Sequence, residues 1–115
     1  MSLPLEEDGL ARLRSDFWIS AYLRQRAAAG VVAVLRRRGA AEAGAIFIKV
    51  DRLDGTACLF APAPPDLEQD SGERRFERVL DSDPLSVEDK MQRELRFDGD
   101  LWLVEVEDRS GDPGL

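Results

Sequence analysis

The stretch AIFIKVDRLDGTACLFA, residues 45–61, decides the fold because it holds two strand-like runs separated by a turn. The first run alternates, placing Ile46, Ile48 and Val50 on one face of a strand and Lys49 on the other. Asp54-Gly55 then supplies residue types that tolerate positive φ, and residues 56–61 form a second apolar run. The pattern predicts an antiparallel hairpin.

Three further segments are candidates for strands. The β-branched run VVAVL at residues 31–35 leads into three arginines, and residues 101–106 place Trp102, Val104 and Val106 on one face. Residues 74–80 fit either a strand with outward charges or a short helix, and we favour the strand.

Two segments are typical of helices. The first begins at Ser15 or Asp16, either of which can cap a helix, and ends at Gly30. The second begins near Ser86, with Asp89 three residues later as a capping box. Its apolar face consists of Val87, Met91 and Leu95.

Together these elements predict an α+β fold in the order α-β-β-β-β-α-β. We expect a mostly antiparallel sheet of four to five strands, with both helices packed mainly on one face. At 115 residues the chain is long enough for one core, so residues 1–115 are predicted to be a single domain. The ordered core should run from about residue 12 to residue 109, between loose termini.

Composition narrows the setting of the protein. No apolar run is long enough to cross a bilayer, and the N-terminal residues lack the features of a signal peptide, so we expect a cytoplasmic protein without a membrane partner. A single Cys58 agrees with a reducing compartment. The net charge of −7 opposes non-specific attraction to nucleic acid.

The residue types present exclude several kinds of chemistry. The chain contains no histidine, which removes imidazole-activated serine or cysteine nucleophiles, and with one cysteine no structural zinc site can be built. The glycines do not fit a phosphate-binding loop. No cofactor is expected, and Cys58, on an apolar strand, is predicted to be an inert core residue.

Acidic residues around the last strand are the remaining catalytic candidates. Glu105 and Glu107 share one strand face, and Asp100 precedes them. Oxygen ligands of this kind suit Mg²⁺, as in metal-dependent nucleases. Such nucleases carry a lysine at the position that Glu107 occupies here, so we favour a solvated strand edge over a metal site.

A second group combines arginines with aromatic side chains. Such residues can hold phosphates and stack on bases, or they can end a strand and pack in a core. We favour the second alternative, in which the arginines end the strand and neutralise nearby acids while Trp18 and Tyr22 pack in the core. The interaction candidates are Trp18, Tyr22, Arg24, Arg36, Arg37 and Arg38.

Four segments carry a family resemblance: residues 12–24 (RLRSDFWISAYLR), 50–57 (VDRLDGTA), 72–76 (GERRF) and 97–108 (FDGDLWLVEVED). In this order they resemble the bacterial domain-of-unknown-function family 1491, over nearly the whole chain from Arg12 to Arg109. The resemblance implies a small stand-alone bacterial protein. The family has no assigned activity, so the resemblance transfers no functional residue.

We therefore expect a non-enzymatic binding or accessory module that uses apolar surface around Trp18 and Tyr22. Its partner would be another protein or a second copy of the chain as a homodimer. The first alternative is a divergent metal-dependent nuclease-like or phosphoester-processing enzyme using the acidic cluster. The second is a weak nucleic-acid binder using the arginine and aromatic residues.

Overall fold

The computed structural model describes residues 13–64 and 73–115, which form two helices and one five-stranded sheet in the predicted order. The predicted N-terminal lead-in lies outside the described residues. The helices are α1 (Ser15–Ala28) and α2 (Pro84–Phe97). The strands are β1 (Ala33–Arg37), β2 (Ile46–Asp51), β3 (Ala57–Pro62), β4 (Phe76–Ser82) and β5 (Trp102–Glu107).

The sheet order is β1-β5-β2-β3-β4. Only β2 and β5 are parallel; the β1–β5, β2–β3 and β3–β4 pairs are antiparallel, so the α+β, mostly antiparallel prediction is confirmed. The parallel register places Ile46 beside Trp102 and Lys49 beside Glu105. This last pair becomes important for the charged residues described below.

The predicted hairpin is present, and its turn differs in detail from the prediction. Strands β2 and β3 pair from Ile48 opposite Phe60 to Asp51 opposite Ala57. Positive φ occurs at Leu53 (63°) and Gly55 (88°) rather than at Asp54. The Asp54 carboxylate instead accepts a hydrogen bond from the backbone N–H of Thr56 at 2.9 Å, which closes the turn locally.

The two helices pack on opposite faces of the sheet, so the expectation that both would cover one face was wrong. Helix α1 covers the face of Ile46, Ile48 and Val50, where Ile19 and Tyr22 join the core. Helix α2 covers the face of Phe47, with Val87 and Met91. The central strands are apolar on both sides, and each side needs its own cover.

Residues 76–82 form the predicted fourth strand rather than a helix. They pair with β3, from Ala57 opposite Ser82 to Pro62 opposite Phe76. The pairing gives these residues a hydrogen-bonded neighbour, which local periodicity could not reveal.

Both helix caps differ from their predictions. Helix α1 has Arg14 at its N-cap without a side-chain cap, because Ser15 Oγ donates to the carbonyl of Gly44 at 2.6 Å instead. Helix α2 is capped by Asp83, whose carboxylate accepts from the Ser86 backbone N–H at 2.8 Å. The Ser86–Asp89 capping box therefore lies one turn too late.

The C-terminal tail, expected to be loose, packs against the rest of the protein. Pro113 is buried, and its carbonyl accepts a hydrogen bond from the hydroxyl of Tyr22. Gly111 N donates to Asp108 O at 3.0 Å, which turns the tail back towards α1. Within residues 13–64 and 73–115, neither helix has the length and apolar character needed to span a membrane.

Candidate functional site

Aromatic rings stack along the sheet side of α1. Trp18 and Tyr22 are four residues apart, so they lie one above the other on the helix. Their ring centroids are 5.0 Å apart with an interplanar angle of 15°, and the Phe76 ring lies 5.3 Å from Trp18. The Trp18 and Tyr22 rings are stacked, and the Phe76 ring, tilted by 41° to that of Trp18, joins α1 to the beginning of β4.

Tyr22 is a structural member of this stack. Its side chain is only 3% exposed, and its hydroxyl donates a hydrogen bond to the Pro113 carbonyl. Burial raises the pKa of Tyr22 to about 12. Tyr22 therefore supports the surface, and Trp18, which is half-buried, is the ring of the pair that a partner can reach.

A groove with a volume of about 530 Å³ lies over this stack, and we call it the α1 groove. Trp18 and Tyr22 line its floor, and its walls come from α1, the residues before β4 and the C-terminal tail. Ala21, Gln25, Leu13, Arg74 and Leu115 are among the wall residues. Its volume lies within the range of ligand and side-chain binding pockets.

Arg74 ties the walls of the groove together. Its guanidinium donates to the carbonyl of Leu13 at 3.0 Å and to Ser15 Oγ at 2.8 Å. Because Ser15 Oγ also donates to Gly44, the beginning of α1 is joined to two distant parts of the chain. The sequence prediction missed Leu13, Arg74 and the tail because each lies far from Trp18 in the sequence or outside a periodic pattern.

The three consecutive arginines do not join the aromatic stack. The Arg36 guanidinium lies on the face opposite Trp18, where it donates to Glu88 of α2 at 2.9 Å and to Glu105 at 2.6 Å. Arg37 donates to the Gly99 carbonyl at 2.7 Å, and Arg38 lies 5.3 Å from the centre of the Trp102 ring. The three side chains are thus distributed among separate contacts.

Arg24 is the arginine candidate that remains available. It is exposed on α1, and among the described residues it makes no hydrogen bond or ion pair. It lies three residues after Ala21, so the two side chains are neighbours on the helix surface.

The structure reveals a charged group that the sequence analysis did not identify. We call it the Lys49 cluster: Arg36, Lys49, Glu88 and Glu105. Lys49, in the central strand β2, is 4% exposed, and its ammonium lies 2.7 Å from Glu88 and 3.8 Å from Glu105. The signal was a single lysine within the otherwise apolar run IFIKV.

The Lys49 cluster is electrically balanced, with two cations and two carboxylates. Hydrogen bonds from Arg36 and then from Lys49 lower the pKa of Glu88 to about 2. Arg36 contacts Glu88 at 2.9 Å and Glu105 at 2.6 Å, so both acids share this cation. The cluster satisfies its own charges and holds α2 to the sheet.

The acidic candidates do not come together as a metal site. Glu105 belongs to the Lys49 cluster, whereas Asp100 and Glu107 are exposed at opposite ends of β5. Across residues 13–64 and 73–115, no three acidic or cysteine side chains are grouped closely enough to hold a metal ion.

Cys58 is fully buried on the α1 side of the sheet, as expected of a core residue. Burial raises the pKa of its thiol above the usual value, which lowers the thiolate fraction at neutral pH. This environment agrees with an inert side chain.

Comparison with known proteins places the chain among structurally determined relatives. It is 35% identical to a DUF1491 family protein from Caulobacter crescentus, with a TM-score of 0.75 and coverage of 90% of this chain and 92% of that one. It is 40% identical to protein Atu0922 from A. tumefaciens, with a TM-score of 0.72 and coverage of 84% and 86%. No curated protein matches the chain. Residues 13–115 match the family model for a protein of unknown function, DUF1491, and the chain therefore belongs to the DUF1491 family.

Proposed function

We propose that the protein is a non-enzymatic binding module, and that the α1 groove binds a segment of a partner protein that inserts an apolar side chain. The observation that carries this proposal is the groove, with a volume of about 530 Å³, over the Trp18–Tyr22 stack. A groove of that volume accommodates one or two large side chains.

Exposed apolar side chains at and beside the groove support this assignment. Leu13 is 51% exposed, Leu115 is 61% exposed, and Phe17 on the adjoining face of α1 is 57% exposed. Clustered apolar surface is costly to hydrate, and in soluble proteins it marks interaction sites. Tryptophan at the centre of such a surface is among the residues that contribute most to binding.

The groove is also held rigidly before any partner arrives. Tyr22 is bound to Pro113, and Arg74 links Leu13 to Ser15. A preformed surface loses little conformational entropy on binding, so modest contact area is sufficient for measurable affinity.

The charged groups that the fold brings together favour binding over catalysis. In the Lys49 cluster each cation faces a carboxylate, and this mutual pairing serves to attach α2 to the sheet. Among the described residues, the charged side chains that line the groove are Glu73 and Arg74, and Arg74 joins its walls.

The proposal can be tested by site-specific photo-crosslinking in the native cells. A benzophenone amino acid would replace Ala21 in the groove wall, or exposed Gln92 on α2 as the control position. We expect a protein crosslink from position 21 only, mapping by mass spectrometry to one continuous segment of one partner.

The crosslink should depend on the groove. It should be lost in Trp18→Ala and weakened in Leu13→Ser, whose side chain is 51% exposed and therefore not needed for folding. Leu85→Ser, at a leucine that is 76% exposed on α2, is the matched control and should leave the crosslink unchanged. Equal crosslinking from positions 21 and 92, or insensitivity to both groove variants in folded protein, would contradict the proposal. A crosslink to a second copy or to nucleic acid would also contradict it.

We further propose a cytoplasmic location. The free, fully buried Cys58 agrees with a reducing compartment, where isolated thiols remain unoxidised. Fractionation of the native cells should recover the protein with cytoplasmic markers, and recovery with periplasmic or membrane markers would overturn this assignment.

A further inference from the structure

The surroundings of the α1 groove differ in charge from the rest of the protein. Helix α1, its N-cap, residues 73–75 and the tail at residues 110–115 contain five arginines against three acidic residues, Asp16, Glu73 and Asp112. The whole chain carries a net charge of −7. An anionic partner is therefore repelled by most of the molecule and attracted at this surface.

Several arginines already contact other side chains of the protein. Arg14 pairs with Asp16 at 3.2 Å, and Arg52 pairs with Asp81 at 2.9 Å. Arg26 covers the Tyr22 ring, with its guanidinium 5.9 Å from the ring centre. Arg24 is exposed beside the groove wall without such a contact among the described residues, so its five N–H donors remain available to an incoming group.

Resting on the proposed function, we infer that the partner segment is acidic, with carboxylates next to the apolar side chain that enters the groove, and that Arg24 binds one of them. A guanidinium matches a carboxylate geometrically, because it can donate two parallel hydrogen bonds. The neighbouring Trp18 and Ala21 receive the apolar side chain, so both parts of the partner are recognised within about two turns of α1.

An acidic protein segment fits these observations better than a nucleic acid does. The groove holds one or two side chains, and the cationic surface extends over one helix and a short adjoining segment. A phosphate backbone carries charge along its whole length and would meet the anionic remainder of the protein. A short acidic segment places its charge only where the arginines lie.

Peptide titration followed by ¹H–¹⁵N NMR tests the inference. The probes are blocked hexapeptides with a central Leu-Phe pair flanked on each side by two aspartates, two serines or two lysines. The indole N–H of Trp18 reports on the groove, and that of Trp102, which donates to the Ala40 carbonyl at 2.8 Å inside the protein, is the internal reference. We expect the aspartate peptide to shift the Trp18 resonance at the lowest concentration.

Arg24→Gln should weaken binding of the aspartate peptide by about two- to fivefold, the range expected for one exposed ion pair. Arg96→Gln, at an exposed arginine in the last turn of α2, is the matched control and should change nothing. Raising the salt concentration to about 0.5 M should reduce the preference for the aspartate peptide, because exposed charges are screened.

The possible failures are distinguishable. If no peptide of any charge moves the Trp18 resonance, the proposed function itself fails. If the serine peptide binds as tightly as the aspartate peptide, or if Arg24→Gln behaves like Arg96→Gln, the groove binds protein segments and the acidic partner is wrong. Tighter binding of an eight-nucleotide single-stranded thymidine oligomer than of the aspartate peptide would overturn the inference in favour of nucleic acid.

Discussion

Gly44 shows how one residue joins distant parts of this fold. It lies in the connection between β1 and β2, and its carbonyl accepts the hydroxyl of Ser15 at the beginning of α1. A Cβ atom at this position would overlap the carbonyl oxygen of Asp100 and lie 2.8 Å from Trp102 Nε1. The absence of a side chain therefore lets the connection pass directly over the beginning of β5.

Replacing Gly44 by alanine should destabilise the protein by roughly 2–4 kcal/mol, because the overlapping atoms are backbone and cannot rotate away. Gly99→Ala is the control, since a Cβ there has no heavy atom within 4 Å. Chemical denaturation of both variants measures the difference. Equal stability of the two variants would show that the connection can move away from β5.

The position of its capping residue, and not its apolar pattern, sets where helix α2 begins. Asp83 accepts a hydrogen bond from the backbone N–H of Ser86. Pro84 occupies the first helical position, where its missing N–H removes no hydrogen bond of the helix. The same hydrogen bond, with that of the Ser86 hydroxyl, lowers the pKa of Asp83. Asp89, the expected capping partner, is instead an exposed side chain within the helix.

Asp83→Ala should lower Tm by about 5 °C because it leaves a helix N-terminus uncapped. Asp89→Ala should change Tm by no more than about 2 °C, because Asp89 makes no capping bond. Thermal denaturation followed by circular dichroism compares the two variants. A larger effect of Asp89→Ala would restore the capping box predicted from the sequence.

At the scale of the whole molecule, the Lys49 cluster connects β1, β2, β5 and α2 through four side chains. Its cations and carboxylates come from positions 36, 49, 88 and 105, which only the fold brings together. The cluster lies on the face opposite the α1 groove, so it holds the protein together without contacting the proposed binding surface.

The Lys49 cluster should make stability depend on pH. The folded pKa of Glu88, about 2, lies below the ordinary value of 4.5. Its contribution is therefore fully present above about pH 4.5, and it is lost as pH falls towards about 2. Glu88→Gln should cost about 2 kcal/mol at pH 7, less than a fully buried pair would, because the Glu88 side chain is 28% exposed.

This difference between Glu88→Gln and the unaltered protein should shrink as pH is lowered to about 2, as measured by urea denaturation at each pH. Glu77→Gln, an exposed position on β4, is the control and should have a small effect at every pH. A Glu88→Gln effect that stays constant across the acidic range would show that the Glu88 charge is not what the cluster uses.

The sequence by itself determined the elements, their order and the α+β class. These features depend on near neighbours: the alternation in IFIKV sets a strand, residues 53–56 allow a turn, and Val87, Met91 and Leu95 form one helix face. The apolar side chains of this helix around Trp18 and Tyr22 also led to the expectation of a binding surface there, and that expectation stays a prediction.

Only the tertiary structure decided which face each helix covers, which arginine meets which acid, and what encloses Trp18. An apolar stripe on α2 fits either face of a sheet that is apolar on both sides, so periodicity cannot choose between them. Arg36 contacts Glu88 and Glu105, which lie 52 and 69 residues away in the sequence, respectively. Such contacts are set by how the whole chain packs, so the neighbouring residues in the sequence do not predict them.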